Sequence, residues 1–139
     1  LEHVEDTGMK VLVENTAGGK NSVARYMDSI ERLWEVIGHL NVGLCLDTCH
    51  TWAGGIPTID AVKGFKKLVK KIDLIHFNDS KDGFESSRDR HENLGKGKIP
   101  KEELEYVIKN AKTDIIVETP NGPDAQKKDI AWIKRRLKK

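Results

Sequence analysis

The sequence is poor in several things, and each shortage excludes a class of protein. It has only two cysteines in 139 residues, Cys45 and Cys49, too few for a disulfide framework and better suited to a reducing compartment; this predicts a cytoplasmic protein. No apolar run approaches the roughly 18 residues of a membrane-spanning helix. Neither charge dominates: 24 Lys and Arg against 22 Asp and Glu give +2, so any nucleic-acid contact must come from a local basic patch rather than from a global field. No low-complexity stretch or linker divides the chain, and no secretory signal opens it. It begins Leu1-Glu2-His3-Val4 without Met, which reads as the continuation of something longer.

What is present is an alternation of two periods. Short β-branched, nearly continuous apolar runs at 9–13, 42–46, 74–77 and 115–117 predict strands buried on both faces of a parallel sheet. Between them the apolar residues recur at threes and fours. Val23, Tyr26, Met27, Ile30, Leu33, Trp34 and Ile37 predict a helix capped by Asn21 or Ser22 and stopped near Gly38. Pro57, Pro100 and Pro123 open three more, and the basic cluster at 134–139 complements the last helix's dipole. The pattern is four βα units in one domain spanning 1–139. It fits a doubly wound sheet or half of a (β/α)8 barrel, which usually needs about 250 residues.

Every strand ends in a residue able to bind metal: Glu14, Asp47, His76 and Glu118. Strand side chains alternate, so in-register strands would set Leu12, Cys45, Leu74 and Ile116 in one inward layer and the four polar residues directly above it. Three carboxylates so close would repel one another without a cation. One imidazole with three carboxylates suits Zn²⁺ or Mn²⁺ better than Mg²⁺ or Ca²⁺. His50, three residues after Asp47, joins Asp89 and His91 of the polar segment 80–99 as the three protein ligands of an open zinc site. That segment also carries Arg88, Arg90, Lys96 and Lys98, with Gly95 and Gly97 allowing close approach, a set suited to phosphate. Trp52 and the Gly54-Gly55 pair fit a sugar or base contact and a packing role equally. His39, His3 and Cys45 read as a helix-end cation, a tail residue and core packing.

The strings Val13-Glu14-Asn15-Thr16-Ala17-Gly18, Asp47-Thr48-Cys49-His50, His76-Phe77-Asn78-Asp79-Ser80-Lys81, Asp89-Arg90-His91-Glu92-Asn93-Leu94-Gly95-Lys96-Gly97 and Glu118-Thr119-Pro120 resemble the signatures of endonuclease IV, the zinc-dependent apurinic/apyrimidinic endonucleases of base-excision DNA repair. The resemblance runs in order over nearly the whole chain. It implies the second half of a (β/α)8 TIM barrel, strands five to eight, of the xylose-isomerase-like type, and hydrolysis of the phosphodiester 5′ to an abasic site in duplex DNA.

Three zinc ions serve the complete family barrel. By similarity Glu14 bridges two of them and acts in catalysis, Asp47, His76 and Glu118 hold one of that pair, and His50, Asp89 and His91 hold the third. The other bridged ion takes two histidines from first-half strands that this sequence lacks. Arg90 matches a DNA-contacting loop position, with Lys96 and Lys98 beside it as DNA-binding residues. Two other readings stay open: a one-metal sugar isomerase or epimerase of the same superfamily, which has no use for His50, Asp89 and His91, and a non-catalytic half-barrel that self-associates or pairs with a first-half chain, its unpaired strand edges being an invitation to association.

Overall fold

The computed structural model describes residues 8–19 and 21–138; His3 lies outside them. Four parallel strands, β1 (Val11–Glu14), β2 (Val42–Asp47), β3 (Leu74–His76) and β6 (Asp114–Ile116), form one sheet in the order β1-β2-β3-β6. Among the described residues there are five helices, α1 (Met27–Ile37), α2 (Thr48–Gly54), α3 (Thr58–Val69), α4 (Lys101–Asn110) and α5 (Gly122–Leu137), of which α2 was not expected from the sequence. Pro57 and Pro100 stand at the N-caps of α3 and α4, and Pro123 in the first turn of α5, where a missing N–H costs nothing. Acidic first turns and basic last turns in these three helices oppose the helix dipole.

The core lies between the sheet and the helices. Leu44, Leu46, Ile75 and Phe77 point from the strands into a cluster with Ile30, Val62, Phe65, Leu104 and Val107, all at most 1% exposed. The opposite face of the sheet is open. Ile116 is 48% exposed there, and Leu12 and Leu74 are only half-buried. The expectation of strands covered on both faces is therefore corrected: one face carries the core, and the other lines the concave interior of an incomplete barrel. Cys45 is accordingly buried on that inner face, away from the core cluster.

The in-register layer is corrected as well. Glu14 lies level with Cys45, and Cys45 with Leu74, while Asp47, His76 and Ile116 share the next inward row. The ring of strand-end residues thus climbs two residues between β1 and β2 and two more between β3 and β6, where Glu118 stands two beyond Ile116. This is the stagger of tilted barrel strands, and four residues over four strands is half of the shear of about eight in a closed barrel.

Two further expectations change. Residues 21–26 do not wind into α1, because Thr16 N–H donates to Ala24 O at 2.8 Å and Arg25 Nε to Gly54 O at 3.1 Å. The segment is thereby pinned along α2, and Val23 is left 59% exposed. The segment 80–99 contains a short antiparallel ladder, β4 (Asp79–Ser80) with β5 (His91–Glu92), which carries His91 back to the strand ends.

Asp79 holds the far limb of that segment. It is fully buried and accepts from the backbone N–H groups of Ser80 at 2.8 Å, Gly95 and Gly97 at 3.0 Å, and Ile99 at 3.1 Å. Burial pushes its carboxyl above the usual range against the pull of these donors. A Cβ at Gly97 would stand 2.3 Å from Asp79 Oδ1 and 2.4 Å from Ser80 O, so glycine is required there by space. Asp79→Ala would leave several buried N–H groups unpaired, each costing about 1–3 kcal/mol. We expect a loss of about 3 kcal/mol or more in chemical unfolding, and fast amide exchange at Gly95, Gly97 and Ile99 in hydrogen-exchange mass spectrometry.

Candidate metal centre

The site is built at the C-terminal ends of the parallel strands, where barrel enzymes carry their chemistry. Asp47 ends β2 and caps α2, its Oδ1 accepting the His50 N–H at 2.9 Å. This bond delivers His50 to the inner mouth on the first turn of a helix that begins directly at the strand end. The second carboxylate oxygen accepts from Asn78 Nδ2 at 2.8 Å. Asp47 is wholly buried, and burial raises its pKa against the pull of the His50 and His91 imidazoles.

Two clusters of donors form. In the first, Glu14 Oε2 and Glu118 Oε2 lie 3.3 and 3.2 Å from His76 Nδ1, with Asp47 close by: one ligand atom each from Asp47, His76 and Glu118 fall within 4.8 Å of one another. In the second, Asp89 approaches two imidazoles at once, Oδ2 at 3.1 Å from His50 Nε2 and Oδ1 at 3.2 Å from His91 Nε2. The His50 and His91 rings are 5.6 Å apart. Glu14 joins the clusters, its Oε1 3.0 Å from His50 Nδ1. The structure thus brings together all seven residues picked out as ligands: Glu14, Asp47, His50, His76, Asp89, His91 and Glu118.

The imidazoles show what such a site accepts. His50 Nδ1 faces Asn15 O at 2.9 Å and His91 Nδ1 faces Glu118 O at 3.2 Å. A proton on each Nδ1 donated to those carbonyls turns the Nε2 lone pair inward, the usual way in which a protein fixes a metal-binding tautomer. His50 Nε2, His91 Nε2 and His76 Nδ1 are then buried without a hydrogen-bond partner among the described residues, although carboxylate oxygens stand beside them. Buried polar atoms left this way are costly. Two donors on one tetrahedral zinc, each about 2.0–2.1 Å from the ion, lie about 3.3 Å apart, which is the spacing found here. The donor set fits zinc.

Without a cation, the charge around His50 favours a proton on that lone pair instead. Burial opposes its imidazolium, but the hydrogen bond to Glu14 and the carboxylates of Asp47 and Asp89 outweigh it and push the pKa up to about 10. The His50 hydrogen bond holds Glu14 below the usual carboxylate range, against some opposition from burial. Cys45 and Cys49 are both pushed up to about 12, mainly by burial. One Sγ stands within 4.8 Å of Glu14 and His76 ligand atoms and the other within 4.8 Å of those of Asp89 and His91.

The basic residues divide differently from the sequence expectation. Arg90 lies along Asp82, Nε to Oδ2 at 2.7 Å and Nη2 to Oδ1, so its guanidinium is engaged within the loop. Arg88 approaches the same carboxylate at 3.8 Å. Lys96 and Lys98 are exposed. The Gly95 and Gly97 N–H groups are taken by Asp79, which removes them as a phosphate cradle. Trp52 packs edge-on against Phe84, centroids 5.0 Å apart, and donates to Asp82 O at 3.1 Å, a packing role. His39 is exposed just beyond α1.

The residues missed from sequence are the amides. Asn15 grips the Asp47 backbone on both sides, its Oδ1 accepting Asp47 N–H at 2.8 Å and its Nδ2 donating to Asp47 O at 3.2 Å. Asn78 spans from Asp47 Oδ2 to the Glu118 N–H, which donates to its Oδ1 at 2.8 Å. Asn15 directly follows one expected ligand, Glu14, and Asn78 lies just beyond another, His76; that nearness was the available signal.

Residues 1–136 match the family described as a xylose isomerase-like TIM barrel. The chain belongs to that family, in its endonuclease IV branch. It is 47% identical over 131 residues to the probable endonuclease 4 of Mycobacterium bovis BCG Pasteur, and 46% to that of Mycobacterium ulcerans. These alignments take in 94% of this chain and 51% of each relative, so the chain spans about half the length of the curated proteins it matches. Among solved structures, endonuclease IV from Thermus thermophilus superposes with a TM-score of 0.75 at 30% identity, covering 91% of this chain and 49% of that one. A D-tagatose 3-epimerase-like protein superposes almost as well, 0.73 at 21% identity, and shows the shared fold alone.

Zinc must displace the His50 proton, so zinc affinity should rise from about pH 6 to about pH 9, with proton release detectable by calorimetry in buffers of different ionisation enthalpy. In the metal-free chain the raised His50 pKa has the opposite sign: its stabilisation is full below the ordinary 6.5 and is lost as pH climbs through about 10. Asn78→Ala should weaken zinc binding about 10–100-fold, the usual scale for groups that orient ligands, measured by competition with a chromophoric chelator.

Proposed function

We propose that the chain is the second half, strands five to eight, of a zinc-dependent endonuclease that cleaves the phosphodiester 5′ to abasic sites in duplex DNA, a step of base-excision repair carried out in the cytoplasm. The observation that carries this reading is the set of three buried, unpartnered imidazole nitrogens with carboxylate oxygens at co-ligand spacing. The second cluster discriminates between relatives of one fold. A one-metal isomerase has no need of His50, Asp89 and His91 gathered together, whereas a multi-ion phosphodiesterase does.

Zinc held by Asp47, His76 and Glu118, and by His50, Asp89 and His91, would supply positive charge for the phosphate oxygens and the departing 3′-oxygen. Glu14 faces both clusters and, held deprotonated by His50, can accept a proton from an attacking water. The Asn15 and Glu118 carbonyls keep His50 and His91 in the tautomers that ligation requires. Asp89 and Glu118 are the more exposed carboxylates, with side chains 57% and 42% accessible, and form the rim toward the substrate. Recognition would rest on extruding the abasic nucleotide from a bent duplex, which is easier where no base stacks.

The test is incision of an abasic-site duplex by zinc-loaded protein in which this chain is joined or mixed with a first-half chain. Glu118→Gln should lower both zinc content and incision, the latter by about tenfold or more in rate; unchanged zinc content would count against the proposed ligand set.

A second reading concerns the chain by itself. Met9 and Val11 at β1, Ile116 on β6, and Ile130 and Leu137 on α5 are exposed, and an apolar groove of about 540 Å³ lies between β6 and α5. Unpaired edges of this kind favour association. The isolated chain should self-associate, bind fewer zinc ions than a complete barrel and cut poorly, as native mass spectrometry and a nicking assay would report. A monodisperse monomer with full incision would overturn this.

A further inference from the structure

A cleft of about 310 Å³ lies beside the metal centre, between the end of the 80–99 segment and α5. Three cations line it: Lys96, Lys128 and Arg135. Among the described residues, no carboxylate comes within ion-pair distance of any of the three, whereas Lys127 pairs with Asp124, Arg136 with Glu105 and Arg90 with Asp82. The one acidic residue of the lining, Asp129, is 4% exposed and has its charge answered by Asn93 Nδ2 at 2.7 Å, Leu94 N–H at 3.0 Å and Thr119 Oγ1 at 2.6 Å. Asn121, at the start of α5, donates from its own side chain to Asn93 Oδ1 at 2.7 Å and does not cap the helix. The first N–H groups of α5 therefore lack a side-chain acceptor where the helix borders the cleft. Concave shape and three unneutralised cations together describe an anion site, with the uncapped start of the 16-residue α5 at its near end.

Its position gives the anion. Asn93 is two residues beyond His91, and Asn121 three beyond Glu118, so the cleft begins within about 10 Å of the metal donors along the chain. Lys128 stands about 9 Å further along α5 and Arg135 about two helical turns beyond it, so with a rise of about 3.4 Å per nucleotide the cations begin about six nucleotide steps from the metal donors. We propose that this cleft seats a backbone phosphate of the DNA strand flanking the lesion, held by Lys96, Lys128 and Arg135, and so fixes the register of the duplex over the metal centre. The proposal rests on the nuclease reading above and extends it to residues of α5.

The test uses the full zinc-loaded chain and a short duplex carrying a tetrahydrofuran abasic analogue, with fluorescence anisotropy followed across a range of KCl. The double variant Lys128→Ala/Arg135→Ala should bind about tenfold more weakly and flatten the log–log salt slope by about one to two, since each phosphate contact contributes about 0.9. A matched loss of two cations elsewhere, Arg32→Ala/Lys67→Ala, should change affinity by less than about twofold. Lys128→Arg/Arg135→Lys should bind like the parent, which separates charge from helix integrity; circular dichroism checks that α5 persists. Equal weakening by both Ala pairs, or none by either, overturns the proposal. If the parent chain fails to bind the duplex while inorganic phosphate shifts the Asn121 side-chain amide signals by NMR, and the Lys128→Ala/Arg135→Ala pair abolishes the shift, the cleft serves a small phosphate compound. In that case the DNA assignment falls. Silence of both probes overturns the site altogether.

Discussion

The Asp47 carboxylate, shut away from solvent at the end of β2, is the constraint on which the rest of the site depends. One oxygen starts α2 by accepting the His50 N–H, and the other receives Asn78. Through Asn78 it reaches the Glu118 N–H just beyond β6, while Asn15, by gripping the Asp47 main chain, ties the end of β1 to the same residue. One buried residue, through its carboxylate and its main chain, thereby links three strand ends and the first turn of a helix. An unpaired carboxylate in that position would be very costly. Hydrogen bonds to both oxygens, imidazoles close by and the prospect of a cation make it tolerable.

This arrangement separates firm parts from adjustable ones. Asp47 and the imidazoles are held by backbone and amide partners and are largely buried, while Asp89 and Glu118 stand at the rim with much of their side chains in water. A scaffold of this kind keeps the nitrogen donors in place and lets the outer oxygens adjust as charge is taken up. The 80–99 segment is tied down in a comparable way, by Asp79 beneath it and by the Arg90–Asp82 fork at its tip.

Much of this was legible in the residues. Strand ends rich in ligand types, at period-two spacing, pointed to Glu14, Asp47, His76 and Glu118, and the spacing of His50 three residues after Asp47 pointed to His50, although the helix that presents it was not read there. What was hidden had long-range causes. The stagger of the rows depends on strand tilt, which no single strand encodes. Val23 reads as a helical residue, yet the Thr16–Ala24 hydrogen bond takes its segment out of α1. Gly95 and Gly97 read as a phosphate cradle because glycine signals close approach, and the sequence alone does not say that the approaching group is Asp79 of the same chain. Arg90 and Asp82 are eight residues apart with nothing between them to announce a fork. The pairing of β4 with β5 joins runs of two residues, too short for any periodicity to register.

The climb of the inward rows has a consequence for any polypeptide that would close this cylinder. The strand ends here rise like the treads of a spiral stair, four residues from the first strand to the last. A complementing piece must carry the climb on in the same sense by about another four residues, so that the sheet returns to β1 displaced by the full shear of about eight. A segment of equal length and similar composition but flat pitch would seal the wall one rung out of step, burying its own donors below the mouth or stranding them above it. Pitch, more than surface chemistry, is thus what selects a fitting counterpart.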